Sequence, residues 1–247
     1  MKLTKPQKEI LNHPARFKVV VSGRRFGKTY ASIASLAKHA SVPNTKVMYV
    51  APSYRMAKQI VWEDLKSMLR DKNWIKKINE SELTITLVNA SIIMLRSVDN
   101  PDSIRGLGLD HIVIDEAADV AHLAEVWNAV LRPTLSDREG SALIISSPKG
   151  RGALYDLYQN EKRLDAWKSW QFTTIEGGNV SEEEIEAAKR DMDERTFKQE
   201  YLAQWVDYSG LIYYAFGDHN ILQRPDMLAD GGTMLHIGID FNVDPGC

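Results

Sequence analysis

Apolar residues in this chain gather in short, nearly unbroken runs, most of them followed by a stretch with helical spacing. Runs at 17–21, 47–51, 112–114 and 142–145 show little polar alternation, which is the pattern of parallel strands covered on both faces. Between them, 30–40 is alanine-rich with helical spacing, and 53–70 carries Met56, Ile60, Val61, Leu65, Met68 and Leu69 as one apolar stripe. Residues 122–131 repeat the pattern with Leu123, Val126, Trp127, Val130 and Leu131. Strands alternating with helices predict an α/β fold around a mostly parallel sheet.

Other elements flank this core. Residues 3–11 predict a short opening helix with Thr4 as N-cap and Pro6 in the first turn. The runs at 83–88 and 92–97, separated by Asn89, Ala90 and Ser91, predict a hairpin, with both strands antiparallel at the sheet's edge. A last strand is expected at 167–174. After the Gly177-Gly178 turn, Ser181 caps one helix and a second begins near Glu194, together a small helical subdomain. Residues 208–232 lack a period and read as a connector, and 235–244 begins a new strand. The basic stretch 70–77, with Trp74, reads as solvated surface beside a helix end or as a contact for a nucleic-acid backbone.

Candidate chemistry sits where strands end. Ser22, Gly23, Arg24, Arg25, Phe26, Gly27, Lys28 and Thr29 form a strand–loop–helix transition that reads as a phosphate-binding loop. In such a loop backbone N–H groups wrap phosphates, Lys28 adds a point charge, Thr29 takes Mg²⁺, and the helix turns its positive end to the anion. Ser22 stands where the motif G-x-x-x-x-G-K-[ST] has glycine, so the loop alone leaves open an ordinary helix start. Asp115 and Glu116 follow an apolar strand. An aspartate there can hold a metal and an adjacent glutamate can activate water, although an acidic helix N-terminus has the same composition. Ser146, Ser147 and Pro148 end another strand, where small hydroxyls face the ligand crevice of an open parallel sheet. Arg105 lies on a glycine-flanked loop, available for a functional role or for pairing with Asp102 or Asp110.

Composition narrows the classes. Hydrophobic residues make up 44% and charged residues 26%, ordinary for a globular protein and against wholesale disorder. No apolar run approaches the roughly 20 residues of a membrane span, and the polar start lacks a signal peptide's apolar core, so an intracellular protein is expected. The one cysteine, Cys247, excludes an internal disulfide. A net charge of −2 argues against coating nucleic acid by bulk charge and leaves a local patch as the route to DNA.

With the loop, the acidic pair, Ser146-Ser147-Pro148 and a trailing Ile-Gly-Ile-Asp ending at Asp240 in this order, the chain resembles the large terminase subunit of tailed bacteriophages, a DNA-packaging motor. The resemblance runs from Gln7 to Asp240. It implies a RecA-like P-loop NTPase of the additional-strand (ASCE) type with a mostly parallel central sheet, an antiparallel edge hairpin and a helical lid. The divisions implied are an ATPase core at 1–176, a lid at 177–208, a linker at 209–234 and the first strand of an RNase H-like nuclease at 235–247. Terminase P-loops are commonly degenerate at the first glycine and bear arginine, which fits Ser22 and Arg24.

By the same resemblance ATP and Mg²⁺ are the cofactors. Arg24 would contact nucleotide, Asp115 would bind Mg²⁺, Glu116 would be the catalytic carboxylate, and Ser146 to Pro148 would couple hydrolysis to motion. Arg105 matches an arginine proposed to act in trans within a homo-oligomeric ring. Asp240 would be the first metal-binding acid of a nuclease whose other acids are absent here, so no nuclease activity is expected. Gln7 resembles the glutamine with which helicase-like ATPases read adenine; a solvent-facing glutamine is the alternative. Double-stranded DNA, the portal and procapsid, and the small terminase subunit would be partners, in the cytoplasm of the infected bacterium and outside the mature virion. Two other readings stay open: a helicase-like DNA-dependent ATPase, suggested also by residues 49–59, and a non-hydrolysing nucleotide switch.

Overall fold

The structure is a computed structural model and describes residues 3–206. The connector at 209–234, the nuclease strand at 235–247 with Asp240, and the end of the lid at 207–208 lie outside the described residues.

The chain opens with helix α1 (Lys5–Asn12), in which the Gln7 carboxamide accepts from the Thr4 N–H at 2.9 Å, the return half of a capping box. Strand β1 (Phe17–Ser22) leads through the loop into α2 (Lys28–Ala40), and β2 (Lys46–Ala51) leads into α3 (Tyr54–Ala57) and α4 (Glu63–Asp71). These last two are one continuous helix joined by a wide π-type turn at Lys58–Trp62. Strands β3 (Ile75–Asn79), β4 (Thr84–Leu87) and β5 (Ile92–Ser97) follow. Next come β6 (His111–Asp115), α5 (Leu123–Val126), a π-type turn at Trp127–Leu131 and α6 (Arg132–Thr134). The chain continues through β7 (Ser141–Ser146), α7 (Ala153–Gln159) and β8 (Trp167–Phe172), then α8 (Thr174–Gly177), α9 (Glu182–Asp191) and α10 (Glu194–Glu200).

The eight strands form one sheet in the order β3-β4-β5-β2-β6-β7-β1-β8. From β5 to β8 every neighbouring pair is parallel; β3–β4 and β4–β5 are antiparallel. β7 therefore stands between the loop-bearing strand β1 and the acid-bearing strand β6. The hairpin expectation needs one correction: β5 is antiparallel to β4 but pairs in parallel with β2 along its whole length, so it is an integral strand. The antiparallel addition is β4 with β3, and β3 falls within the stretch read as solvated surface. Its exposed Lys76 and Lys77 break the strand pattern while blunting an open edge.

Alternate residues of the central strands face opposite cores. Val20, Tyr49, Val113 and Leu143 pack with Ile33, Leu36, Val61 and Leu65 of α2, the π-type turn and α4. Val19, Met48, Val50, Ile112 and Ile144 pack with Leu123, Trp127, Leu131, Leu154 and Leu157 on the other side. Three layers result, with the carboxyl ends of β1, β6 and β7 left open for loops. A separate cluster of Ile185, Ala188 and Phe197, flanked by Val180, Tyr201 and Leu202, is the core of the small helical subdomain.

Candidate nucleotide site

The loop between β1 and α2 takes its shape from close packing on every side. Gly27 has φ of 96°, a left-handed conformation in which a Cβ would also lie 2.5 Å from Gln7 Nε2. Gly23 needs no unusual φ but leaves no room either: a Cβ there would meet Thr174 Oγ1 at 2.5 Å and the Tyr201 carbonyl at 2.6 Å. Arg25 is left-handed at φ 61°. The carbonyls that this winding exposes are satisfied from outside. Asn179 Nδ2 donates to the carbonyls of Arg25 and Phe26 at 3.1 Å each, Thr174 Oγ1 to that of Arg24 at 2.8 Å, and Gln7 Nε2 to that of Gly27 at 3.1 Å. Phe26 is fully buried and stacks on Phe172 with centroids 5.1 Å apart, so its side chain anchors the loop. Ser22, at the position of the absent glycine, is fully buried, and its hydroxyl has no hydrogen-bond partner among the described residues.

Lys28 connects this loop to the end of β7. Its Nζ donates to Ser147 Oγ at 2.9 Å and to the Gly23 carbonyl at 3.4 Å. Burial lowers its pKa, while the charges of Glu116 and Asp115 pull it back up. Ser146 Oγ accepts from the Ala118 N–H at 3.1 Å, joining β7 to the segment after the acidic pair. Pro148 is buried next to them.

Asp115 ends β6 and is 2% exposed. Its Oδ2 accepts from the Tyr49 hydroxyl at 2.8 Å and its Oδ1 from the Glu116 N–H at 2.9 Å. Burial pushes its pKa up to about 6, helped by the neighbouring Glu116 charge; the two hydrogen bonds and Lys28 act the other way. Glu116 is held at φ 47°, ψ 45°, a region that costs a non-glycine residue of order 1–3 kcal/mol. That turn carries its backbone away from the strand while its side chain lines the cleft.

The cleft, about 820 Å³, is lined by Arg24, Arg25, Gly27, Lys28, Thr29, Tyr30, Met56, Ile60, Glu116, Asp119, Ser147, Lys149, Asn179, Glu200 and Tyr201. This volume is in the range of small-molecule sites. The loop, Glu116 and Ser147 thus converge on the cleft, whereas Asp115, Ser146 and Pro148 are buried and do not line it. Arg105 does not line it; it is exposed and pairs with Asp102 at 3.2 Å, while Asp110 is taken by Arg138. Gln7 is 2% exposed, so it is not the solvent-facing residue of the alternative reading.

Residues 19–217 match the family model described as terminase large subunit, T4likevirus-type, N-terminal. The chain belongs to the large terminase subunit family. It is 30% identical over 209 residues to the large terminase subunit of Escherichia phage T5, covering 83% of this chain and 48% of that protein. The chain thus spans about half the length of that curated relative. The ATPase domain of the Thermus phage P74-26 large terminase superposes with a TM-score of 0.71 at 25% identity, covering 83% of this chain and 94% of that one. The large terminase of another thermophilic bacteriophage, solved in complex with ADP, gives a TM-score of 0.70 at 18% identity over 88% of this chain and 57% of that one, a likeness of fold.

The residues that sequence reasoning missed are those that position others. Tyr49, Thr174, Asn179 and Glu200 all touch the loop or the acids, yet nothing local in the sequence assigns any of them that contact. Their contacts span 66, 150, 154 and 176 positions, so only the folded chain reveals them.

Proposed function

We propose that this chain hydrolyses ATP with Mg²⁺ and that hydrolysis drives double-stranded DNA into a viral procapsid. The observation that carries the proposal is that Glu116, the acid following β6, lines the same cleft as Lys28 and Thr29 at the start of α2. Family membership supports ATP as the nucleotide and DNA packaging as the task.

The residues fit a hard divalent cation. Asp115 is buried next to a second acid with Lys28 as the opposing cation, and Thr29 offers a hydroxyl; Mg²⁺ is usually held by one or two such groups plus phosphate oxygens and waters. Asp115 and Thr29 would hold the ion, which would supply positive charge against the phosphates. Glu116 would orient the attacking water and accept its proton. Lys28 and Arg24 would neutralise charge on the departing phosphates, and the Lys28–Ser147 contact would report the state of the phosphates to β7. Gln7, packed against Gly27, is the candidate to read adenine with its remaining N–H.

A homo-oligomeric ring, with Arg105 reaching a neighbour's site, would complete the motor at the portal, together with the small terminase subunit. It would work in the cytoplasm of the infected bacterium and stay outside the mature virion. No helix among the described residues is long and apolar enough to cross a membrane.

Phosphate release by wild type and Glu116→Gln, with ATP binding measured in parallel, tests the assignment. Retained binding with hydrolysis reduced at least about a hundredfold is expected, the scale of a lost general base. A variant that hydrolyses ATP normally removes Glu116 from the chemistry.

A further inference from the structure

Glu200, the last residue of α10, holds Arg24 through both backbone and side chain. The Arg24 N–H donates to the Glu200 carbonyl at 2.7 Å, and Arg24 Nε donates to Glu200 Oε2 at 2.5 Å. The other carboxylate oxygen, Oε1, accepts from Gln199 Nε2 at 3.0 Å, and the Glu200 side chain is only 13% exposed. The acid is therefore fixed before it meets the arginine. Contact through Nε leaves the terminal nitrogens of Arg24 without a partner among the described residues, in a side chain that is 67% exposed and lines the cleft. A guanidinium anchored this way keeps its outer donors for a phosphate, which it can bind with two parallel hydrogen bonds. Arg25, one position on, also lines the cleft but has no ion pair among the described residues to orient it.

We propose that Glu200 is a positioning residue that ties Arg24 to the helical subdomain and presents its terminal nitrogens to the nucleotide's phosphates. The proposal rests on the reading of the cleft as an ATP site. It also makes the subdomain part of that site. The Tyr201 carbonyl accepts from the Thr174 N–H at 2.8 Å, and Gln171 Nε2 donates to the Ala203 carbonyl at 2.8 Å, so the segment bearing Glu200 is pinned next to the loop. Displacing that segment would withdraw Arg24, and by reciprocity a phosphate held by Arg24 would favour the docked segment.

The test is a double-mutant cycle on the affinity for ATPγS with Mg²⁺, using wild type, Arg24→Ala, Glu200→Ala and the double variant. Each single change is expected to weaken binding on the order of tenfold, the scale of one charge-assisted hydrogen bond. In the Arg24→Ala background Glu200→Ala should add nothing, because its partner is gone. Glu200→Gln, which keeps an acceptor for Nε, should recover most of the affinity and keeps the test available if Glu200→Ala fails to fold. Equal losses from Glu200→Ala in both backgrounds, or no loss in either, would overturn the proposal. A wild-type chain that binds no ATPγS would remove the ATP-site reading itself, an outcome distinct from additivity in the cycle.

Discussion

The hydroxyl of Tyr49 on β2 donates to Oδ2 of Asp115 at the end of β6, 2.8 Å away in a fully buried setting. This bond fixes the orientation of the carboxylate from the neighbouring strand. It also compensates part of the cost of burying it, and the shared interaction with Asp115 raises the Tyr49 pKa, after burial itself. Tyr49→Phe should destabilise the chain by about 1.5–3 kcal/mol, as expected when a charged acceptor loses its donor in a buried site. Urea unfolding would show it. In ATP turnover the same variant should need a higher Mg²⁺ concentration for half-maximal rate, and an unchanged Mg²⁺ requirement would count against the positioning role.

Acid should weaken the fold through a buried histidine pair. His39 and His111 stack with centroids 3.6 Å apart, bonded to Ser35 and Ser141, and burial lowers the pKa of both, that of His111 well below 6.5. The unfolded chain takes up protons near pH 6.5 that the folded chain refuses. Stability is therefore lost as pH falls below that value, by up to about 1.4 kcal/mol per pH unit for each proton. Asp115 has the opposite sign. Folded, it binds a proton near pH 6 that the unfolded aspartate does not take until near 3.8, so it adds stability as pH falls through that window. In unfolding measured at several pH values without divalent cation, Asp115→Asn should steepen the acid loss between about pH 6 and 4.

Gly23→Ala should damage the loop without touching any charged group. The new Cβ would fall 2.5–2.8 Å from Thr174 and the Tyr201 carbonyl, both tied by hydrogen bonds, so the overlap cannot be relieved by a flexible side chain. A loss of about 1–3 kcal/mol is expected, the usual cost of overpacking. ATP affinity should fall with it. Native stability with native affinity would mean that the segment after α10 moves aside easily.

Arg105→Ala should leave stability within about 0.5 kcal/mol, because its pair with Asp102 is exposed on both sides. Its effect is expected in assembled protein. Mixing Arg105→Ala with Lys28→Ala subunits should give more ATP hydrolysis than the average of the two alone, since a site can then combine Lys28 of one subunit with Arg105 of its neighbour. Activity no higher than that average would place Arg105 outside the reaction.

The layered α/β architecture was legible because burial on both faces leaves a local trace in the strands, and helical spacing leaves another. The loop, Asp115 with Glu116, and Ser146 to Pro148 could be proposed from sequence for a similar reason: each is a run of consecutive residues at a strand's end. By itself the sequence determined these strands, helices and motifs, together with the family. Tertiary structure decided what depends on remote partners. Lysines concealed β3 until the sheet paired it with β4, and β5 became an integral strand through β2, whose Lys46 pairs with Ile92 across the chain. Likewise Tyr49 behind Asp115, Asn179 over the loop and Glu200 on Arg24 follow from packing, since side-chain hydrogen bonds across 66 to 176 positions have no counterpart in local periodicity.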